Sequence, residues 1–574
     1  MKQIYILIFS FCTLFILSGC SSMLDTDSEL VEFEQDNTLN HPTDSVYSVM
    51  GIINRMQLIA DRTVLLGEAR GDLMVTTEAA TADLKRLAAF NLTQQNKYNQ
   101  VSDYYAVINN CNYYLAHVDT ALQRRGRTLF KYEYAAVKAF RAWTYLELAK
   151  AYGQVPLVTT PIMTEREAKA SANSQPSTIT DICNFFIDDL TPYALVDLPT
   201  FGTINGWDSQ QFFIPMRALL GDLCLWAGRY EEAANWYHSY LNDPDEPILM
   251  NYSSRIQWSS VSDFQRPTNA YRVNNTNEAI SFIPMEARVF DGTVSDLPNI
   301  LTSTQENNYY FQLTPSTGMR QLSAAQTYCI EYKTETTTDT IYAPTTGLND
   351  ALLIGDLRLY ANYSQTAIGG QDAYSEYSSL RQDCNKLWRM EFNGAMRPLI
   401  PTYRRNIIYL RYAEALNRVG LPQSAMAVLK YGLCSENAYN YIDSLERVKA
   451  GSLIAFDENR FTRETTIGIH SLGSGDSQCN AFYVLPQPST ALATRQDTIN
   501  YQIPLVEDLI IQEMALEGAF EGYRYYDLMR VALRRNDPAY LANPIANRNG
   551  TTDAALHSLL MEPKNWYLPL NYDY

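Results

Sequence analysis

The stretch IPMRALLGDLCLWAGRYEEAANWYHSYLN, residues 214–242, contains two amphipathic segments separated by a glycine. In the first segment the apolar residues recur with the spacing of one helical face: Met216, Leu220, Leu223 and Ala227. Gly228 then ends this helix, because glycine readily adopts the left-handed conformation of a helix C-terminus. The same apolar period returns after the glycine, from Tyr230 to Leu241, and predicts a second helix that folds back on the first.

This helical hairpin resembles a tetratricopeptide repeat in its glycines, aromatic residues and small crossing residue: Gly221, Gly228, Tyr230, Ala233 and Tyr237. A single hairpin of this kind leaves one apolar flank exposed, so a second copy is expected to stack on it. The stretch YLRYAEALNRVGLPQSAMAVLKYGL, residues 409–433, has the same pattern, with Gly420 at the turn. The two copies are almost two hundred residues apart, which favours hairpins brought together around a large insertion over a simple solenoid.

The rest of the chain divides around these hairpins by composition. Residues 41–250 form an N-terminal helical region, with helices predicted at 103–122, 132–152 and 178–195 and a loop at 158–177. Residues 251–404, which we call the middle region, are rich in Gly, Pro, Asn, Ser, Thr and Tyr and carry only short strand-like or helical pieces. This composition is typical of functional loop regions. Residues 405–574 are helical again, with one last long helix predicted at 506–534. The predicted fold class is therefore mainly α, with a large loop-rich insertion.

The N-terminus has the features of a lipoprotein signal. Lys2 precedes an apolar run, residues 4–17, that is too short to span a bilayer. The run ends in Leu17-Ser18-Gly19-Cys20, which resembles the bacterial lipobox, in which the signal is cut before the cysteine and the cysteine thiol receives lipid. We therefore predict a signal peptide over residues 1–20, lipidation of Cys20, a flexible acidic leader over residues 21–40 and a body held to a membrane by lipid.

Composition excludes one broad class of partner. The chain of 574 residues has a formal net charge of −18, and nucleic-acid binding depends on clustered Lys and Arg. We therefore expect no nucleic-acid partner. Seven cysteines remain after Cys12 and Cys20 are set aside, with no closely spaced pair, so no disulfide framework is predicted.

Four blocks resemble, in sequence order, the signature segments of the SusD/RagB family of outer-membrane nutrient-binding lipoproteins. They are AFRAWTYLELAKAYGQVPL (139–157), NEAISFI (277–283), IIYLRYAEALNRVG (407–420) and EMALEGAFEGYRYYDLMR (513–530). The last block is the most specific, because it fits the family's Glu-Gly-x-Arg-x-x-Asp-Leu-x-Arg run. The resemblance implies a SusD-like fold and a surface-exposed lipoprotein of the outer membrane. It also implies a SusC-like TonB-dependent transporter as partner. The tetratricopeptide helices would form the scaffold and the face for this partner, and irregular loops would capture a glycan or, less often, a peptide.

Two features invite an enzymatic interpretation. Glu513, Glu517 and Glu521 are spaced to lie on one helical face, as a glycosidase acid/base pair would require. The alternative is an ion-pair lattice that uses Arg524 after Glu521 and Arg530 after Asp527. His470 lies in a glycine-rich stretch, yet no other histidine is at ligand spacing and no phosphate-binding glycine motif is present, so a turn-rich loop is predicted. We therefore expect no catalytic residues, no metal and no cofactor.

Aromatic residues are the best candidates for ligand contact, because their flat apolar faces and polar edges suit sugar rings. Trp143, Trp226 and Trp236 lie inside helical patterns, and there we expect core packing. The residues that we predict to bind ligand lie outside the helices, in the middle region or just before a helix: Tyr98, Asn96, Trp258, Tyr271, Tyr309 and Tyr310.

Four hypotheses follow from the sequence. The first is a binding lipoprotein that holds an oligosaccharide or polysaccharide and hands it to the transporter. The second is a peptide-binding version of the same protein. The third, from a different class, is a surface glycoside hydrolase that uses Glu517. The fourth is a purely structural assembly protein that uses its repeat helices and binds no glycan.

Overall fold

The computed structural model describes most of the chain from residue 42 onward. The described residues are 42–245, 256–258, 267–268, 278–285, 293–302, 311–333, 336–342, 355–367, 380–384, 386–390, 396–476 and 483–570. The predicted signal peptide, Cys20 and the predicted acidic leader lie outside them.

Helices make up most of the described chain, which confirms the predicted fold class. In the N-terminal part they are α1 (Pro42–Glu68), α2 (Ala82–Ala88), α3 (Val101–His117), α4 (Lys131–Tyr152), α5 (Glu165–Ala172), α6 (Ile179–Leu190), α7 (Met216–Ala227) and α8 (Tyr230–Leu241). The middle part has α9 (Leu297–Leu301), α10 (Thr317–Ala324) and α11 (Arg358–Asn362). The C-terminal part has α12 (Arg405–Arg418), α13 (Pro422–Lys430), α14 (Ser435–Tyr441), α15 (Ser444–Ala450), α16 (Ser471–Ser474), α17 (Arg495–Glu517), α18 (Arg524–Arg535), α19 (Ala539–Asn547) and α20 (Ala554–Leu560).

The strands are short. They are β1 (Met74–Thr76), β2 (Gln123–Arg124), β3 (Arg127–Thr128), β4 (Thr203–Ile204), β5 (Trp207–Asp208), β6 (Gln257–Trp258), β7 (Pro267–Thr268), β8 (Ala279–Pro284), β9 (Leu313–Pro315), β10 (Cys329–Lys333), β11 (Thr338–Tyr342), β12 (Tyr363–Ala367), β13 (Leu380–Cys384), β14 (Trp388–Met390) and β15 (Met396–Arg404). Most pair two by two, and β14, β15 and β8 form a three-stranded antiparallel sheet in that order. Strand β15 leads directly into α12, so this sheet lies against the helical frame.

Both predicted hairpins form and stack on each other. Gly228 ends α7 with a φ of 78°, and Gly420 follows α12 with a φ of 83°. At the crossing of α7 and α8, a Cβ on Gly221 would lie 2.4 Å from the ring of Tyr237, so only glycine fits there. Helix α8 packs against α12, which joins the two hairpins across the insertion. The stack continues through α3, α4 and α6 on one side and through α13 and α17 on the other.

Polar contacts lock the hairpins together. The Asp222 carboxylate on α7 accepts hydrogen bonds from the hydroxyls of Tyr237 (2.6 Å) and Tyr403 (2.8 Å) and pairs with Arg411 on α12 (2.5 Å). One buried side chain thus connects both hairpins and β15.

Two sequence predictions are wrong in detail. The segment 158–177, predicted as a loop, contains α5, which buries no residue and therefore shows no apolar stripe. The sequence feature that marks the start of α5 is a capping box, in which the side chains of Thr164 and Glu167 each accept a hydrogen bond from the other residue's backbone N–H group. The predicted helix at 506–534 is two helices, α17 and α18, and α17 begins at Arg495. They are separated by a turn in which Gly522 has a φ of 90° and packs on the backbone of Thr63 in α1.

The cysteine prediction also needs correction. Cys111, Cys183, Cys224, Cys384 and Cys434 are free and buried, but Cys329 is disulfide-bonded. The spacing of the cysteines along the sequence did not predict this disulfide. Among the helices that the structure describes, we find none with the length and apolar character needed to cross a bilayer.

Candidate functional site: an aromatic cleft beside the first hairpin

A cavity of about 1000 Å³ opens between the first hairpin, the end of α4, α18 and the C-terminal residues 564–570. Its volume is at the upper end of the range for small-molecule binding sites, roughly 300–1000 Å³. We call it the hairpin cleft. Five aromatic side chains line it: Phe90, Tyr152, Trp226, Tyr230 and Tyr567. Five basic side chains line it as well: Arg70, Arg418, Arg530, Arg534 and Lys564.

The turn of the first hairpin places two of these rings. Trp226 is the second-last residue of α7, and Tyr230 is the first residue of α8. The turn between them is tight, because the N–H groups of Gly228 and Arg229 bond back to the carbonyls of Leu225 and Cys224. Both rings are half-buried, so each packs on the protein and still presents surface to the cleft.

Two arginines fix these rings from behind. The guanidinium carbon of Arg530 lies 5.5 Å from the centre of the Trp226 ring, and that of Arg418 lies 4.9 Å from the centre of the Tyr230 ring. Both distances are in the range of cation–π attraction. Glu414 on α12 holds both arginines, at 2.6 Å from Arg530 and 2.5 Å from Arg418. Burial by itself would raise the pKa of Glu414, but the two arginines outweigh it and lower that pKa to about 2. Glu414 is therefore ionised at neutral pH and clamps the aromatic platform.

The opposite wall comes from the C-terminal segment. The Leu568 N–H bonds the Ala151 carbonyl at 2.9 Å, which attaches this segment to the end of α4. Gly153, with a φ of 80°, allows the Tyr567 ring to lie against the chain, since a Cβ there would be 3.0 Å from the ring. Arg70 lies behind this wall and donates to the Trp566 carbonyl and the Tyr526 hydroxyl, each at 3.0 Å.

The three glutamates of the enzymatic hypothesis are buried elsewhere, in a dense ion-pair cluster. The Glu517 carboxylate accepts hydrogen bonds from Arg404 (2.6 Å), Asn406 (2.9 Å) and Arg358 (2.8 Å). Glu513 pairs with Arg358 at 2.6 Å and Glu521 with Arg404 at 2.8 Å. These arginines come from the middle region and from β15, and all five side chains are at most 1% exposed. The carboxylates are therefore unavailable to a substrate, and they join the insertion to the helical frame.

The predicted ion-pair lattice is present, but one of its two predicted pairs is wrong. Arg530 pairs with Asp527 at 2.9 Å, as the spacing predicts. Arg524, by contrast, pairs with Asp72 at 2.6 Å and not with Glu521. The reason is that Glu521 lies in the turn after α17, so the helical spacing does not extend to it.

His470 belongs to the same cluster. It lies just before α16, is 2% exposed, and its Nδ1 is 2.7 Å from a Glu513 oxygen. The Tyr483 hydroxyl donates to the same oxygen at 2.8 Å. The stretch predicted as a turn-rich loop is thus packed in the interior around a short helix. Among the described residues no group of three or more His, Cys, Asp or Glu side chains is arranged to hold a metal ion.

Comparison with solved structures identifies the architecture. A SusD superfamily protein from Bacteroides vulgatus ATCC 8482 superposes with a TM-score of 0.57 at 14% identity, over 91% of this chain and 92% of that one. A SusD-like carbohydrate-binding protein from Bacteroides fragilis NCTC 9343 gives a TM-score of 0.55 at 15% identity, over 87% and 88%. The chain has the SusD-like fold. A laminarin-binding SusD-like protein also matches, with a TM-score of 0.51 at 14% identity, over 90% and 95%. No protein-family model and no curated protein matches the sequence.

Within the SusD-like fold, two of the predicted ligand-binding residues are buried. Asn96 is fully buried, where its amide donates to the Asp83 carbonyl (3.0 Å) and its oxygen accepts from the Tyr98 N–H (2.9 Å). Tyr98 is 5% exposed, with Lys97 over its ring. The amide that we expected to bind a sugar thus organises the loop before α3. The burial of both side chains argues against direct ligand contact by either residue.

The other four predicted site residues lie between residues 251 and 404 of the sequence. The backbone of Trp258 is in β6, opposite Pro267 of β7. Tyr271, Tyr309 and Tyr310 lie outside the described residues. Ligand binding by these four remains a prediction.

The hairpin cleft could not be predicted from the sequence, because residues that are far apart along the chain form its walls in the SusD-like fold. Trp143 is in the core as predicted, but Trp226 and Trp236 are only half-buried. The available signal was the position of Trp226 two residues before the turn glycine Gly228, at the end of the helical hairpin, where a side chain has fewer packing neighbours than in the middle of a helix.

Proposed function

We propose that this protein captures a glycan at the cell surface without cleaving it. The observation that carries the proposal is the hairpin cleft, an open cavity with fixed aromatic rings on a SusD-like scaffold. Sugar rings present apolar C–H faces that pack on aromatic side chains, and Trp226 and Tyr230 are already held by Arg530 and Arg418. Preorganised rings lose little conformational entropy when a ligand binds. The structural neighbours described as carbohydrate-binding or laminarin-binding support the same ligand class.

The proposal includes a location and a partner. The lipobox-like sequence ending at Cys20 supports a lipid anchor in the outer membrane, and the resemblance to SusD/RagB proteins supports delivery to a SusC-like TonB-dependent transporter. A Cys20→Ser variant should leave the membrane fraction. Extraction of the wild-type protein in mild detergent should co-purify an outer-membrane β-barrel transporter. A protein that stays in the membrane without Cys20, or that is extracted alone, would contradict this part of the proposal.

The glycan-binding part is tested by affinity electrophoresis of the purified protein in gels that contain polysaccharide, together with an assay for new reducing ends. We expect retarded migration with at least one polysaccharide and no new reducing ends. Trp226→Ala should weaken binding about tenfold, because loss of a stacking ring costs on the order of 1–1.5 kcal/mol.

Trp236→Ala is the matched control. It removes a second half-buried tryptophan of the same hairpin that does not line the cleft, so it should bind like the wild type. Equal loss in both variants would show that the effect is on folding and not on the site. Retardation by peptides but by no glycan would favour the peptide-binding alternative, and new reducing ends would favour a hydrolase.

A further inference from the structure

The charge of the hairpin cleft is opposite to that of the whole protein. The chain has 63 acidic and 45 basic residues, a formal net charge of −18. Among the described residues that line the cleft, five are basic and none is acidic. A local excess of positive charge attracts anions to the cleft, even in a protein whose net charge is negative.

Part of this positive charge is already neutralised. Arg418 and Arg530 share Glu414, Arg530 also pairs with Asp527, and Arg534 pairs with Glu507 at 2.5 Å. These arginines therefore serve mainly to hold the rings and the helices in place. Only a small part of the attraction for an anion comes from them.

Two cations remain. Arg70 is 1% exposed, and its hydrogen bonds go to the carbonyls of Leu66 and Trp566 and to the Tyr526 hydroxyl. No carboxylate of the described residues pairs with it. A buried charge without a counter-ion acts over several ångströms, because the surrounding protein screens it weakly. Lys564 stands at the mouth with 77% of its side chain exposed, and its contact with Glu562 is a surface pair that contributes little.

We propose that the glycan bound in the hairpin cleft is acidic, with sugar rings that carry carboxylate or sulfate groups. This inference rests on the proposed function and adds the ligand class. The aromatic side chains pack on the rings of the sugar, while Lys564 contacts the acidic group at the mouth and Arg70 attracts it from behind the wall. A neutral glycan would use the rings but would leave the charge of Arg70 uncompensated.

The test compares each acidic polymer with a form of itself whose charge is blocked. Fluorescently labelled oligosaccharides of polygalacturonate and of chondroitin sulfate are titrated with the full-length protein. Their charge-blocked forms, methyl-esterified polygalacturonate and chondroitin that is both desulfated and methyl-esterified, are titrated in parallel with neutral laminarin. We expect at least one acidic oligosaccharide to bind at least tenfold more tightly than its charge-blocked form. This preference should shrink as NaCl is raised from 50 to 500 mM, because salt screens the attraction.

Lys564→Gln locates the effect. It should weaken binding of the acidic oligosaccharide several-fold and leave binding of the charge-blocked form unchanged. Lys169→Gln is the matched control, since Lys169 is also an exposed lysine paired with a nearby glutamate and does not line the cleft.

The outcomes separate the two proposals. If neutral or charge-blocked glycans bind as well as the acidic ones, the acidic ligand class is overturned and glycan capture stands. If Lys564→Gln and Lys169→Gln have equal effects on binding of the acidic oligosaccharide, the acidic ligand class is likewise overturned and glycan capture stands. If no glycan of either kind binds, both proposals fall.

Discussion

Glu517→Gln separates a structural from a catalytic role for the buried glutamates. The substitution keeps the shape of the side chain but removes the negative charge that lies between Arg404 and Arg358. Both guanidinium groups are 1% exposed or less and would lose a counter-ion in a region that water does not reach. Removal of one partner from a buried ion pair costs about 3–5 kcal/mol.

This cost translates into a measurable change in melting temperature. Unfolding entropy is about 2.1 cal/mol/K per residue, or about 1.2 kcal/mol/K for a chain of this length, so a loss of about 4 kcal/mol lowers Tm by about 3 °C. The pKa of Glu517 is lowered because Arg404 and Arg358 together outweigh the effect of burial. Its contribution to stability is therefore present above pH 4.5 and is lost as the pH falls below it, so the Tm difference between wild type and variant should narrow in acid.

The assay is thermal unfolding followed by circular dichroism at pH 7 and at pH 3. Glu436→Gln is the control, because Glu436 forms an ion pair with Arg463 in which both side chains are 54% exposed; it should not change Tm. If Glu517→Gln has the same Tm as the wild type at pH 7, the Glu517 carboxylate does not stabilise the fold and the structural role is refuted. A variant that is fully stable but loses a glycan-cleaving activity would instead establish the hydrolase.

Two further predictions concern stability. Burial raises the pKa of Glu68 to about 7, so its contribution to folding stability is present below pH 4.5 and is lost as the pH rises through 7. The wild type should therefore lose stability between pH 5 and pH 8, and Glu68→Gln should make this loss smaller by about 3 kcal/mol. Parallel profiles of Tm against pH for wild type and variant would contradict this. Gly221→Ala puts a Cβ 2.4 Å from the Tyr237 ring and should lower the free energy of unfolding, measured by chemical denaturation, by about 1–3 kcal/mol. Gly51→Ala is the control, because a Cβ there has nothing within 4 Å, and it should be neutral or slightly stabilising. Equal effects at the two glycines would show that the close crossing of α7 and α8 does not require glycine.

The hairpins could be predicted from sequence because their signals are local. The apolar period and the turn glycines Gly228 and Gly420 lie within one segment each, and the structure confirms both. The break between α17 and α18 could not be predicted in the same way. It depends on the approach of Gly522 to Thr63 in α1, more than four hundred residues earlier in the chain. A helical period that continues through the turn conceals such a contact.

The site was harder to predict than the fold. Asn96 and Tyr98 were predicted to contact ligand because they lie outside the helices, but the Asn96 amide donates to the backbone carbonyl of Asp83 and holds the loop before α3. The hairpin cleft combines Tyr152, Trp226 and Tyr567, which no sequence window contains together. Arg70 likewise gains its importance only from the fold, since the lack of a carboxylate partner among the described residues is a property of its surroundings.

The most direct test of glycan capture by the hairpin cleft is a crystal structure of the protein with the oligosaccharide that binds most tightly. We predict that the sugar rings pack on Trp226 and Tyr230 and that the ligand contacts Tyr567 on the opposite wall. A ligand bound only by the middle region, at Trp258, Tyr271, Tyr309 or Tyr310, with the cleft empty, would contradict the account.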